Sequence, residues 1–187
     1  MSQLSRFKLK SLVAGAALAL MGVGAWAGTY SYGADTSGGP TYNRLVESLS
    51  VLSNIGTNVQ YQAFSFTVSA AGNYDFLSQA AGWDNFLFLY NGFNPQDPLT
   101  GALIGNDDFQ GTIGTSGFSY MLNTGTTYTV VTTGYSNIDA GTFSSTITGP
   151  GDVMPAPVPE PATYALMGLG LAALGALGRR RSVAAQG

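Results

Sequence analysis

The 187-residue chain has no cysteine and no histidine, and its lysines and arginines together number seven. Without cysteine it has no disulfide, no thiolate nucleophile and no cysteine-ligated zinc. Without histidine it has neither a Ser-His-Asp relay nor the commonest zinc ligand. Position confines the cations further: Arg6, Lys8 and Lys10 stand near the start and Arg179, Arg180 and Arg181 near the end, so Gly28 to Pro157 contains Arg44 alone. Against it stand Asp35, Glu47, Asp75, Asp84, Asp97, Asp107, Asp108, Asp139 and Asp152, nine acids minus one base, for a net charge of -8 that the whole-chain value of -3 conceals. Such a body cannot neutralise phosphate backbones, which excludes nucleic acid as a partner, while its field attracts divalent cations. Carboxylates are the only conventional general bases it holds.

The two ends have separate jobs. The three N-terminal cations precede an uncharged run from Leu12 to Val23, and Ala25-Trp26-Ala27 supplies the small-x-small pattern that signal peptidase accepts, so residues 1–27 are expected to be a secretory leader cut before Gly28. That run falls short of the roughly 20 residues that span a bilayer. At the other end, Ala162 to Gly178 is uncharged over 17 residues, about 25 Å as a helix and close to a hydrocarbon core. Carrying Arg179, Arg180 and Arg181 through lipid would cost about 2.5–3.5 kcal/mol each, so a helix over 162–178 is expected to stop in the membrane, with the basic tail 179–187 cytoplasmic and the body outside.

Just before that helix, Pro159, Glu160 and Pro161 restrict the backbone to extended conformations a protease can grip. Val158-Pro159-Glu160-Pro161-Ala162, the apolar stretch and the closing arginines together resemble the PEP-CTERM sorting signal of Gram-negative bacteria that make exopolysaccharide. The resemblance implies recognition of Pro159, Glu160 and Pro161 by an exosortase, removal of the tail, and delivery to the cell surface or extracellular matrix. A proline-rich stalk before a permanent anchor is the plainer alternative.

The body reads as all-β. Phe64, Phe66 and Val68 alternate with Ser65 and Thr67, as a half-buried strand requires, and Ala71-Gly72-Asn73 leads into Tyr74 to Ser78. Asn85 to Tyr90 is apolar on both faces and is expected to be a covered core strand. Asn91 to Gly101, with two prolines and two glycines, reads as a loop before a strand over Ala102 to Ile104. Phe118 to Leu122, Asn123-Thr124-Gly125 and Thr126 to Thr133 read as a hairpin with Tyr128, Val130 and Thr132 on one face, and Thr142 to Thr148 closes the set. Short strands without intervening helices predict an antiparallel β-sandwich of jelly-roll character over 61–152. Residues 28–60 are expected to hold a leading arm containing Tyr30 and Tyr32, then a strand over Tyr42 to Leu52, although Leu45, Val46, Leu49 and Leu52 also fit a helical face. Residues 153–161 read as a proline-rich linker.

Across Tyr61 to Gly149, the segments Phe64 to Tyr74, Phe86 to Tyr90, Gly105 to Asp108, Leu122 to Tyr128 and Gly141 to Phe143 resemble in order the bacterial pre-peptidase C-terminal domain. That resemblance implies a non-catalytic β-sandwich accessory module able to bind calcium or polymeric substrates; the chain departs from the family in having no attached peptidase.

Asn106-Asp107-Asp108 follows a strand, and with Asp84 from a neighbouring loop it forms a candidate calcium set of hard oxygens, without EF-hand spacing. The commoner role for Asp and Asn in such a loop is to cap their own backbone. A glycosidase would need two carboxyls facing across a sugar, which neighbouring aspartates on an extended chain rarely do. Trp83, Tyr90, Phe93 and Phe109 lie near these loops and are candidates for stacking on glycan, Trp83 and Phe109 foremost, with ordinary core packing the alternative. The expected protein is a non-enzymatic exported surface protein associated with exopolysaccharide, with no required cofactor and calcium as the candidate ion. The alternatives are a carboxylate-dependent polysaccharide hydrolase and a plain spacer.

Overall fold

A computed structural model of the chain describes residues 27–157. The leader through Trp26, the sorting residues Pro159 to Pro161, the apolar stretch 162–178 and the basic tail lie outside the described residues. Among those described, no helix is long and apolar enough to cross a membrane, and the single helical element is a 3-10 turn, Phe109–Gly111.

Ten strands form two antiparallel sheets. They are β1 (Gly28–Asp35), β2 (Thr41–Tyr42), β3 (Val59–Val68), β4 (Gly72–Ala80), β5 (Asn85–Tyr90), β6 (Ala102–Asn106), β7 (Thr115–Leu122), β8 (Tyr128–Gly134), β9 (Thr142–Gly149) and β10 (Val153–Pro155). One sheet has the order β1-β9-β4-β7. The other runs β10-β3-β8-β5-β6, with β2 added beside β3. Apart from the short β2 and β10, the pairings nest: β1 with β9, β3 with β8, β4 with β7 and β5 with β6. A long antiparallel hairpin rolled into two layers has this topology, so the sandwich is a jelly roll, as expected.

Between the layers, Phe66, Val68, Tyr74, Phe76, Leu87, Leu89, Leu122, Tyr128, Val130 and Ile147 form the main core. Gly149 is required there, because a Cβ would stand 2.1 Å from the Tyr74 ring. A second apolar cluster lies on the outer face of the larger sheet, where Phe86, Phe88, Tyr90 and Val131 pack against Tyr42, Leu45 and Val59. These two clusters explain why β5 is buried along its whole length.

Four local expectations are corrected. Tyr30 and Tyr32 belong to edge strand β1, paired with β9 over its full length, and both stack on Phe64 at 5.3 and 4.5 Å, so no loose arm precedes the sandwich. Tyr42 to Leu52 is a two-residue strand end followed by turns and a single Leu45–Leu52 bridge. Leu45 and Leu49 cap an apolar sheet face, which needs their side chains but no regular period, while Leu52 is exposed. β7 and β8 are not a hairpin: β7 pairs with β4 and β8 with β3 and β5, so Asn123 to Thr127 crosses between layers. β8 is buried on both faces and needs a covered position, whereas β7 exposes Ser119 and Met121 and suits an edge. Finally, Val153–Pro155 of the supposed linker is a strand, β10, paired with the end of β3.

Candidate metal centre

Four connections meet at one end of the sandwich: 43–58, 81–84, 107–114 and 135–141. Backbone bonds tie them together, with Ala80 N–H donating to Gly114 O at 2.8 Å and Tyr135 N–H to Asp84 O at 2.9 Å. The buried Ser116 hydroxyl joins the two acid-bearing segments; its Oγ lies 2.5 Å from Asp107 O and 2.8 Å from Asn85 O, one proton shared between them. Asn85 is held in turn by its amide donating to Ser78 Oγ at 3.1 Å.

This scaffold brings Asp84, Asp107 and Asp108 together, each offering an oxygen within 4.8 Å of the others. On all three, Oδ1 is shut off from solvent and has no hydrogen-bond partner. Buried, unpartnered carboxylate oxygens on three clustered acids are costly as they stand, because each has lost water without a replacement. The charges feel this. Burial first, then the neighbouring charges of Asp84 and Asp108, pushes the Asp107 carboxyl up to about 7. Burial, then Asp108 and Asp139, also raises Asp84, while a Gly114 N–H bond opposes the rise.

Arg44 is the counterweight. Only 2 % exposed, it donates from Nε and Nη2 to Tyr135 O at 3.0 and 2.6 Å and from Nη1 to Leu45 O at 2.8 Å. Its guanidinium lies over Phe86 and Tyr135, 4.5 and 5.0 Å from the ring centroids. Burial lowers its pKa while Asp107 and Asp84 pull it back up, so the guanidinium and the acids share one field. Three carboxylates against one guanidinium leave two negative charges, which one divalent cation would cancel.

The residues therefore fit a hard dication. Three carboxylate oxygens suit calcium, leaving its further positions to backbone carbonyls or water. The backbone-capping alternative finds no support at Asp108, which occupies the N-cap of the 3-10 turn without making a side-chain capping bond.

Of the expected ligands, Asn106 has both of its side-chain groups engaged. Its Oδ1 accepts from Gly117 N–H at 2.9 Å and its amide donates to Glu47 Oε1 at 3.0 Å, so it locks β6 to β7. Trp83 is half-buried, with its indole N–H donating to Thr142 O at 3.0 Å. Phe109 borders a groove of about 360 Å³ with Asp75, Leu77 and Ser119. Tyr90 and Phe93 are not near the acids: Tyr90 ends β5 about 20 Å along the strand from Asp84, is fully buried, and packs with Phe93 at 4.9 Å inside the second core. Sequence reasoning missed Arg44 as a member of the site; its status as the body's sole cation was the available signal. Of the leader residues, Ala25 lies outside the described residues and Ala27 is exposed just before β1.

Residues 157–181 match the family model of the PEP-CTERM protein-sorting motif, a span containing Pro159, Glu160, Pro161, Arg179, Arg180 and Arg181 and starting two residues after β10. The chain thus carries a PEP-CTERM sorting signal. That motif implies an exported, membrane-anchored precursor with an exosortase as its processing partner. No curated protein matches the chain.

Proposed function

We propose that this exosortase-processed extracellular protein is a non-catalytic binding module of the cell surface or matrix, whose Asp84, Asp107 and Asp108 hold a calcium ion and whose body associates with exopolysaccharide. The clustering of three acids, each with a buried carboxylate oxygen that has no partner, carries the calcium reading. An ion there would knit the 81–84 and 107–114 loops together and relieve the repulsion that raises Asp107.

A hydroxyl-rich surface, with Asp75 on it accepting from Ser119, supports the glycan reading. On the outer face of the smaller sheet, Thr29 and Ser31 of β1 meet Thr148 and Thr146 of β9 through hydroxyl contacts of 3.3 and 3.2 Å. Ser144, Gln79 and Ser119 continue the face toward Phe109, and all three are exposed. Hydroxyls, an amide and one carboxylate at regular spacing, bordered by one aromatic ring, suit a polyol.

Thermal melting of the full chain in detergent, with calcium chloride against EDTA, tests the ion site. Calcium at about 100-fold its Kd should add about 2.7 kcal/mol to stability, and Asp107→Asn should remove that gain. A melting temperature indifferent to calcium, or an equal gain in the variant, defeats the reading. Sugar release by the wild type that is lost in Asp84→Asn would instead favour the hydrolase.

A further inference from the structure

In antiparallel pairing, a strand's backbone groups alternate sides, and on β3 the odd-numbered residues face away from β8. Three bonds establish this: Tyr61 N–H donates to Pro40 O at 3.0 Å, Ser65 O accepts from Ala156 N–H at 2.8 Å, and Ser69 N–H donates to Asp152 O at 3.0 Å. The segment at β2 thus covers this edge up to Tyr61, and β10 with Ala156 covers it from Ser65 onward. Ala63, exposed between them, has no strand partner on this edge among the described residues. A groove of about 460 Å³ opens beside it, lined in part by Ala63, Ser65, Thr127, Pro155 and Pro157.

The chain itself arrives at this gap. The β10 register pairs Val153 with Val68, Met154 with Thr67 and Pro155 with Phe66, and the Ala156 bond to Ser65 carries it one step further. Continued, it sets Pro157 opposite Phe64 and Val158 opposite Ala63. Proline then recurs at every second residue, Pro155, Pro157, Pro159 and Pro161. In this register those are the positions whose N–H would point away from β3, so proline there loses no ladder bond. Of the alternate residues, Ala156 donates to β3, and Val158 would keep a donor facing it in this register. A strand of this design pairs on one side and offers no donor to a further strand on the other, which protects an exposed edge.

We propose that the free edge of β3 at Ala63 is the docking site for the chain's own sorting segment, with Val158 exchanging two backbone hydrogen bonds with Ala63. Pairing ends there, because Pro40 already holds Tyr61. The Pro-Glu-Pro motif therefore leaves the body at a fixed point one residue beyond the last paired position, and the state of the β3 edge governs how much chain an exosortase can draw out.

The chain has no cysteine, so a pair of introduced cysteines reads the register directly. Directly opposite residues of a hydrogen-bonded pair have Cα atoms about 5.5 Å apart, within disulfide range. In the full chain in detergent, Ala63→Cys with Val158→Cys should oxidise to an intramolecular disulfide at least tenfold faster than Gln62→Cys with Val158→Cys, whose side chains lie on opposite faces. Amide exchange at Val158 should be slowed in the unmodified chain. Equal oxidation rates in the two variants, a disulfide linking two copies, or an unprotected Val158 amide in the folded chain would each overturn the docking.

Discussion

The two sheets solve the same problem differently. In the larger one, β5 and β8 are buried throughout because the 43–58 segment covers the outer face; in the smaller one, β4 and β9 alternate buried and exposed residues and leave a hydroxyl face bare. The covering segment also delivers Arg44 to the acids. Stability and charge balance are thus concentrated on one layer, while the other presents exposed hydroxyls.

Substitutions should separate the layers sharply. The largest effect is expected from Phe88→Ala, which empties the second core against Tyr90 and Phe86 and should cost about 3–5 kcal/mol in chemical denaturation. A cost below about 1 kcal/mol would show that the cover contributes little. Next comes Arg44→Met, which keeps apolar contact with Phe86 but strips the Tyr135 and Leu45 carbonyls of a charged donor, for about 2–3 kcal/mol. That variant should also bind calcium more tightly, since a positive charge has left the field of the acids, and calorimetric titration would show it.

A smaller effect follows from pH. With divalent ions chelated, the Asp107 carboxyl holds its proton up to about pH 7, whereas in the unfolded chain it lets go in the ordinary carboxylate range. The folded state binds that proton more tightly, so the cost of ionising Asp107 is fully felt above about pH 7 and is relieved as pH falls through that value. The melting temperature in EDTA should therefore rise from pH 8 to pH 5, and saturating calcium should flatten or reverse the slope. The smallest change is expected on the bare face: Ser31→Ala and Ser144→Ala should stay within about 0.5 kcal/mol of wild type while lowering retention on exopolysaccharide. Unchanged retention would leave that face without a role.

Much of the architecture was legible in local pattern. Phe64 to Val68, Tyr74 to Ser78 and Thr142 to Thr148 alternate because one side of each strand meets the main core, and Asn85 to Tyr90 does not because both of its sides are covered. Partner choice was illegible where it mattered: Asn123-Thr124-Gly125 has hairpin chemistry, yet the chain crosses layers there with Gly125 at φ 76° and Asn123 N–H donating to the Tyr128 hydroxyl. At the site, the acidic types and the pairing of two loops were readable, but the hold of Gly117 and Glu47 on Asn106 and the inclusion of Arg44 were not, since both depend on which way a side chain turns after the loops pack.

Composition, alternation and the terminal motifs determined by themselves that this is an acidic antiparallel sandwich bearing a sorting signal, because those properties reside in short stretches of chain. Tertiary structure decided which strands became neighbours, that β10 lies along β3, and that Asp84, Asp107 and Asp108 cluster, each with a buried oxygen left without a partner. These are distances between residues remote in sequence, and they take definite values only once burial has chosen a single way to close the two layers.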